Sequence, residues 1–413
     1  MKISFSIILF IGILTARAQS LPQWQEGYLD IHHINTGSGN STFIVFPDGT
    51  TLLFDAGDTQ RNQGAKNPLK IAPRFPNDSF SAGQSISQYI KTVLPLVDHL
   101  DYAVISHFHG DHFGTISRNS PQSQKGNYKL SGITEVNEYL PIHHLIDRNY
   151  PTYDFPLDVL KNSYDSTSFK NYTQFISTQV AKGNMSASAV LPGRASQFVQ
   201  LRDPQKYPEF NIRSVAVNGK IWSGEGESFN SIMPNRINKK EYNENPLSVA
   251  LKISYGNFDY FTGGDLTGLK GSGLPNWFDL ETPLSKVVGK VEALSLNHHG
   301  VRDATNEAFL KATDPQVIVQ QSWSSNHPGE EVLHRIISPY LGRSKRDIFA
   351  TYVHPETIIT YGRWLTENYK ATEGHIVIRV SPSGKEFMVL VLDDRNDTLK
   401  VLNSFGPYFT TLD

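Results

Sequence analysis

SHFHGDHFG occupies residues 106–114 and sets His107, His109, Asp111 and His112 within six positions. Imidazoles and carboxylates are costly to bury without partners, and a shared divalent cation is the partner that suits this donor set. In an extended H-x-H the two imidazoles project to one side, so His107 and His109 can grip one ion. Asp111 and His112 are adjacent, and a turn can aim both at a second ion a few ångströms away. Two further segments have the same character: Gly263-Gly264-Asp265 and Asn297-His298-His299-Gly300 each place polar side chains at a Gly-rich turn just after an apolar run. Reading them all as isolated structural histidines and turn aspartates would need three coincidences. A pair of ions held this way acidifies a bridging water and clamps both oxygens of an in-line displacement, which is hydrolytic chemistry.

The elements that position these residues are strands ending at them. Tyr28–Ile34 reads as a strand, followed by the Gly/Ser/Asn turn of residues 35–41. Residues 42–46 and 51–54 form a hairpin across Pro47-Asp48-Gly49 and end at Asp55-Ala56-Gly57. Residues 58–80 suit a loop, residues 85–94 a helix stopped by Pro95, and residues 99–105 a strand that delivers the histidine cluster. Further strands are expected at residues 212–217, 220–222, 228–233, 247–253, 255–262 and 291–296, with a helical stretch near 282–290. The final third alternates strand and helix through residues 317–320, 329–337, 348–352, 374–380 and 387–392. Residues 117–190 include tracts rich in Ser, Asn, Lys and Gln and read as an insertion or lid. With no repeat and no clear linker, residues 19–413 read as one domain.

Hydrophobic residues at 38% and charged residues at 19% describe a globular protein. Lys2, the apolar run of residues 3–14 and Ala16-Arg17-Ala18 have the pattern of a secretory signal peptide over residues 1–18, so the protein is expected to be secreted or periplasmic. With 38 basic and 40 acidic residues it is not built to coat nucleic acid, although a local basic groove is compatible with a nuclease. Cysteine is absent, which excludes disulfides, thiolate ligands and a lipid-bearing cysteine after the leader. Membrane attachment after leader cleavage is therefore not expected, and the oligomeric state is left open.

The stretch H-F-H-G-D-H resembles the H-x-H-x-D-H signature of the metallo-β-lactamase superfamily. Asp55-Ala-Gly57 is similar to its early D-x-G, Gly264-Asp265 to its bridging aspartate and Asn297-His298-His299-Gly300 to its late histidine. Within the superfamily the sequence looks closest to the hydrolase domain of ComEC-type competence proteins. The glycine-rich turn at residues 35–41, Asn245-Pro-Leu-Ser248 and His327-Pro328 carry that likeness, which spans roughly residues 28–395. The resemblance implies an α/β fold, a four-layer αββα sandwich with inserted middle segments. It assigns His107 and His109 to the first metal, Asp111 and His112 to the second and Asp265 to both. His298 or His299 completes the second site, with His298 preferred. Asp55 is expected to orient a ligand histidine. Many relatives have a third histidine for the first metal; the candidates here are His143 and His144, but the ComEC-like branch generally lacks it, so an open or weaker first site is expected.

The donor set favours one or two zinc ions, with manganese or iron(II) as alternatives. Asp111 is also expected to orient the attacking hydroxide, and His327, at another strand-to-helix turn, to stabilise an oxyanion or protonate a leaving group. The reading is a metal-dependent hydrolase acting on a phosphodiester, either a small molecule or nucleic acid. A β-lactam or lactone hydrolase, and a metal-binding protein without turnover, are the competing readings.

Overall fold

In the strands at residues 42–46, 51–54 and 100–105, apolar side chains occupy consecutive positions, the pattern of strands covered on both faces. The computed structural model describes residues 20–59, 69–234, 236–271, 273–343 and 345–411. The expected leader, and part of the loop expected over residues 58–80, lie outside the described residues. One nine-stranded sheet runs in the order Val401–Phe409, Glu386–Leu392, His375–Val380, Leu29–His33, Thr42–Val45, Thr51–Phe54, Leu100–Ile105, Ile142–Asp147 and Ser186–Ala189. The second, also nine-stranded, runs Tyr369–Ala371, Asp347–Ala350, Val317–Gln320, Ala293–Ser295, Phe258–Thr262, Ala250–Tyr255, Phe210–Val217, Lys220–Trp222 and Phe229–Ser231.

Side-chain alternation builds the layers. Ile44, Leu52, Phe54 and Val104 point inward and meet Ile212, Leu251, Ile253 and Val317 of the facing sheet. Phe43, Leu53, Ala103 and Ile105 point outward and are covered by helices Ala82–Val93, Ile133–Tyr139 and Ser166–Ala181. Helices Glu307–Thr313 and Glu330–Ile337 cover the outer face of the second sheet through Phe309, Leu310, Val332 and Leu333. The result is the four-layer αββα sandwich.

Residues 166–181 lie within the stretch read as an insertion or lid. Their helix buries Phe169, Tyr172, Phe175 and Ile176 in the core, with Phe169 and Tyr172 against Phe108. Most of its polar residues lie on its outer side. The strand at residues 401–409 was not anticipated, because Gly406 and Pro407 interrupt its pattern; it is an edge strand, where such residues are tolerated. His32 and His33, adjacent in the strand Leu29–His33, are both fully buried. His32 reaches Tyr89 on one face (Nδ1 to Oη 2.9 Å) and His33 reaches Tyr260 on the other (Nε2 to Oη 2.8 Å). Among the described residues no helix is long and apolar enough to cross a membrane.

Candidate metal centre

Strands 51–54 and 100–105 are parallel neighbours, so Asp55 and Ser106 emerge side by side at their C-terminal ends. Asp55 takes a left-handed φ of 62° and accepts from Ser106 twice, from the backbone N–H (2.7 Å) and from Oγ (2.8 Å). Its Oδ2 also accepts from His112 Nδ1 at 2.7 Å, which leaves His112 Nε2 as the atom facing the centre. Gly39 and Gly57 let the first turn press against the Asp111 backbone. A Cβ at these positions would stand 2.3 and 1.8 Å from the Asp111 carbonyl oxygen, and Asn40 N–H donates to that oxygen at 2.8 Å.

The second sheet supplies the other half. Strand 258–262 runs into Gly263-Gly264, and Asp265 N–H then donates to Ser248 Oγ at 3.2 Å. Strand 293–295 runs into Asn297, His298 and His299. His299 Nδ1 donates to the Gln321 carbonyl at 3.1 Å and His298 Nδ1 to Asp303 at 2.6 Å. The Val249 N–H bond to the Ser106 carbonyl, 2.9 Å, ties the two sheets together beside the centre.

Two groups of donors result. The ligand atoms of Asp111, His112, Asp265 and His299 lie within 4.8 Å of one another, as do those of His107, His109 and Asp265. His299 Nε2 is 3.0 Å from Asp111 Oδ2, His112 Nε2 is 3.1 Å from Asp265 Oδ1, and His107 Nε2 is 3.1 Å from His109 Nδ1. Ligands 2.0–2.1 Å from a single tetrahedral ion stand about 3.3 Å apart, so these separations suit a cation at the middle of each group. His112 Nε2 and Asp265 Oδ1 are buried and make no hydrogen bond, which is the condition of atoms awaiting a cation.

The electrostatics agree. Burial disfavours a charged His112, yet Asp265, Asp111 and Asp55 outweigh it and hold its pKa well above the ordinary value. Burial would raise the Asp265 carboxyl, but His112, His299, His298 and His107 hold it well below. The negative charge gathered here is what a divalent ion would neutralise.

The structure thus brings together His107, His109, Asp111, His112, Asp265 and His299. The sequence reading preferred His298 to complete the second group; His299 stands there instead, and His298 contacts only Asp265 Oδ2 of this set, at 3.7 Å. His143 and His144 are elsewhere. His143 stacks on His99 (centroids 3.8 Å), and His144 Nε2 meets Ser188 Oγ at 2.8 Å. His99, Asp101 and His143 do form a third close group, but Asp101 is already engaged by Arg202 at 2.6 Å and by Thr51 at 2.8 Å. His327 is buried and lies parallel to the His299 ring at 4.7 Å; burial and its histidine neighbours hold its pKa well below the ordinary value.

Sequence reasoning missed a buried ion pair beneath the first group. Glu244 Oε2 accepts from the Phe108 N–H (3.1 Å), between His107 and His109, and Arg148 grips both Glu244 oxygens, Nε at 2.8 Å and a terminal nitrogen at 2.6 Å. Asp303 and Glu281 were also missed as supports. Glu281 is buried, accepts from Asn297, Thr305 and Asn306, and has its pKa pushed up to about 7 by burial against those hydrogen bonds.

Because Asp55 fixes the His112 tautomer, Asp55→Asn is expected to weaken zinc binding about 10–100-fold, the usual effect of changing a partner behind a metal-ligating histidine. Competition with a chromophoric chelator measures this; unchanged affinity would contradict the role.

Architecture and site together define an αββα sandwich consistent with the metallo-β-lactamase fold, with His/Asp groups that could hold metal ions. Residues 34–118 match the family model described as the Metallo-beta-lactamase superfamily, a span that includes Asp55 and the whole histidine cluster. No curated protein matches the sequence significantly. Solved structures that match the chain include a putative metal-dependent hydrolase from Parabacteroides distasonis, with 9% identity and TM-score 0.37 over 78% of this chain and 92% of that one. Zinc-bound PqqB from Methylobacterium extorquens shows 11% identity and TM-score 0.36 over 85% and 99%. CmlA β-hydroxylase shows 11% identity and TM-score 0.37 over 86% of this chain but 54% of that one, so this chain spans about half of its length.

Proposed function

We propose that the protein is an exported metal-dependent hydrolase of phosphodiesters. The observation that carries the hydrolase reading is the convergence of His107, His109, Asp111, His112, Asp265 and His299 as two donor groups sharing Asp265. Divalent ions bound there, zinc by donor type, would supply Lewis acidity and a water acidic enough to attack at neutral pH. Asp111 keeps its side chain partly exposed, at 15%, and is the carboxylate placed to orient that water and accept its proton. His327, held neutral beside His299, is the group assigned to the oxyanion or leaving-group oxygen.

The phosphodiester assignment rests on the motif likeness and on a cleft beside the metal turn. This cleft, of about 740 Å³, is lined by Arg74, Arg118 and Lys129 with Asp58 and Asp165. Asp58 flanks the centre directly, donating through its N–H to the Gly110 carbonyl at 3.0 Å. Three cations against two carboxylates, one of them paired with Arg74, leave the cleft with a net positive charge that suits an anionic substrate. Export rests on the leader pattern of residues 1–18.

The test is hydrolysis of bis-p-nitrophenyl phosphate beside nitrocefin by the zinc-loaded chain. Turnover of the phosphodiester that disappears in His109→Ala is expected. Nitrocefin turnover alone would replace the reading with a lactamase, and turnover of neither would leave a metal-binding protein.

A further inference from the structure

Strand 100–105 carries metal-donor side chains at both ends. His107 follows its C-terminal end, whereas His99 and Asp101 stand at its start. The neighbouring strand 142–147 runs parallel, with Leu100 opposite Ile142 and Tyr102 opposite His144. That register sets Asp101 opposite His143, and the two-residue period of a strand places His99 on the same face. The ligand atoms of His99, Asp101 and His143 lie within 4.8 Å of one another. We infer that these three residues form a further site for a divalent ion of the zinc, copper or nickel kind, at the opposite end of the strand from the centre described above. Two imidazoles and a carboxylate, with a fourth position open to water, suit four-coordinate zinc, and imidazole serves copper and nickel equally.

Three observations support it. First, Asp98 Oδ1 takes the His99 Nδ1–H at 2.5 Å, which directs His99 Nε2 at Asp101 Oδ1, 3.2 Å away. A carboxylate behind one ring nitrogen is the usual support of a metal-ligating histidine. A bare Nε2 against a carboxylate oxygen is a contact of two acceptors, which a cation between them turns into an attraction. Second, Asp101 is held in place through its other oxygen, which accepts from the Thr51 N–H (2.8 Å) and Oγ1 (2.9 Å). The oxygen facing His99 takes Arg202 at 2.6 Å. Arg202 is the cation that an incoming ion must displace, and its side chain is 41% exposed and can swing into solvent. Third, the group can be reached. A cavity of about 570 Å³, lined by Trp24, Leu94, Leu96, His99 and Arg202, opens beside it. The exposed His143 ring, stacked on His99 at 3.8 Å, can tilt until both imidazoles point at one ion. Competition with Arg202 makes this site weaker than the centre, so it fills on titration and empties on dialysis.

The experiment is calorimetric titration of Zn²⁺ into the full chain after it has been loaded with zinc and dialysed. One further, weaker binding event is expected in wild type. His143→Ala, a change at an exposed ring, is expected to weaken this event by more than about tenfold while the ions already held stay in place, since losing a donor costs at least as much as losing the partner behind one. Arg202→Ala removes the competing charge and is expected to tighten the event by about two- to fivefold, the scale of an exposed ion pair. No further event in wild type, or an event that His143→Ala leaves unchanged, would overturn the inference. Unchanged or weaker uptake in Arg202→Ala would overturn Asp101 as the third donor.

Discussion

Asp265→Ala is expected to empty both halves of the centre at once. Every other donor faces one group, whereas the two Asp265 oxygens face His112 and His299 on one side and His107 and His298 on the other. Two consequences separate this variant from a change at the rim. Phosphodiester turnover should fall by at least about a thousandfold, the scale of losing a group on which a catalytic unit depends. Added zinc should also stop protecting the fold. In the wild type, an ion present at about a thousand times its Kd stabilises the native state by roughly 4 kcal/mol, and the variant should lose most of this. Metal content by elemental analysis and unfolding midpoints with and without zinc check both. A variant that still carries two ions would contradict the shared role of Asp265.

The second large effect is expected in the ion pair beneath the first donor group, at residues that are not themselves donors. Arg148→Ala leaves Glu244 buried and unpaired, and loss of one partner of a buried ion pair typically costs about 3–5 kcal/mol. Burial would raise the Glu244 carboxyl, but Arg148 outweighs it and holds the pKa below its ordinary 4.5. The pair therefore stabilises the fold above that pH, and its contribution is lost as pH falls toward the depressed folded value. Wild-type stability should decline on acidification, and Arg148→Ala should lack this component. Because Glu244 also accepts the Phe108 N–H, the variant should loosen the turn that carries His107 and His109. Arg148→Lys should rescue little, since a lysine cannot reproduce the two-pronged grip on both oxygens. Denaturant midpoints across pH test this, and a loss below about 1 kcal/mol would contradict it.

The difference between these sites explains what could be read from the sequence. The cluster at residues 107–112 is local, and Asp265 and His299 follow apolar runs that could only be strands, so one chain-order rule collected them: polar residues at Gly-rich turns after strands. The choice between His298 and His299 was not legible, because successive residues differ only in where the backbone aims them, and here two left-handed φ values decide it. Arg148 and Glu244 lie 96 residues apart and meet only through the packing of the two halves. Neither has a local signature, since an isolated arginine or glutamate reads as solvated surface. The histidines at residues 143 and 144 show the reverse error risk: a paired-histidine motif that the fold carries away from the centre, to His99 and Ser188. Composition hid the core packing of the helix at residues 166–181 for a related reason. Its serines, threonines and glutamines, with Lys170 and Asn171, make up most of it, although Phe169, Tyr172 and Ile176 recur at helical spacing along its buried side.

The most direct test of a two-group metal centre is the metal content of the purified protein, taken together with that of His109→Ala. Close to two zinc or manganese ions per wild-type chain, falling in the variant, is the result expected from donors that converge as these do. A wild-type chain that carries no divalent metal, and takes up none after chelation and reloading, would contradict it.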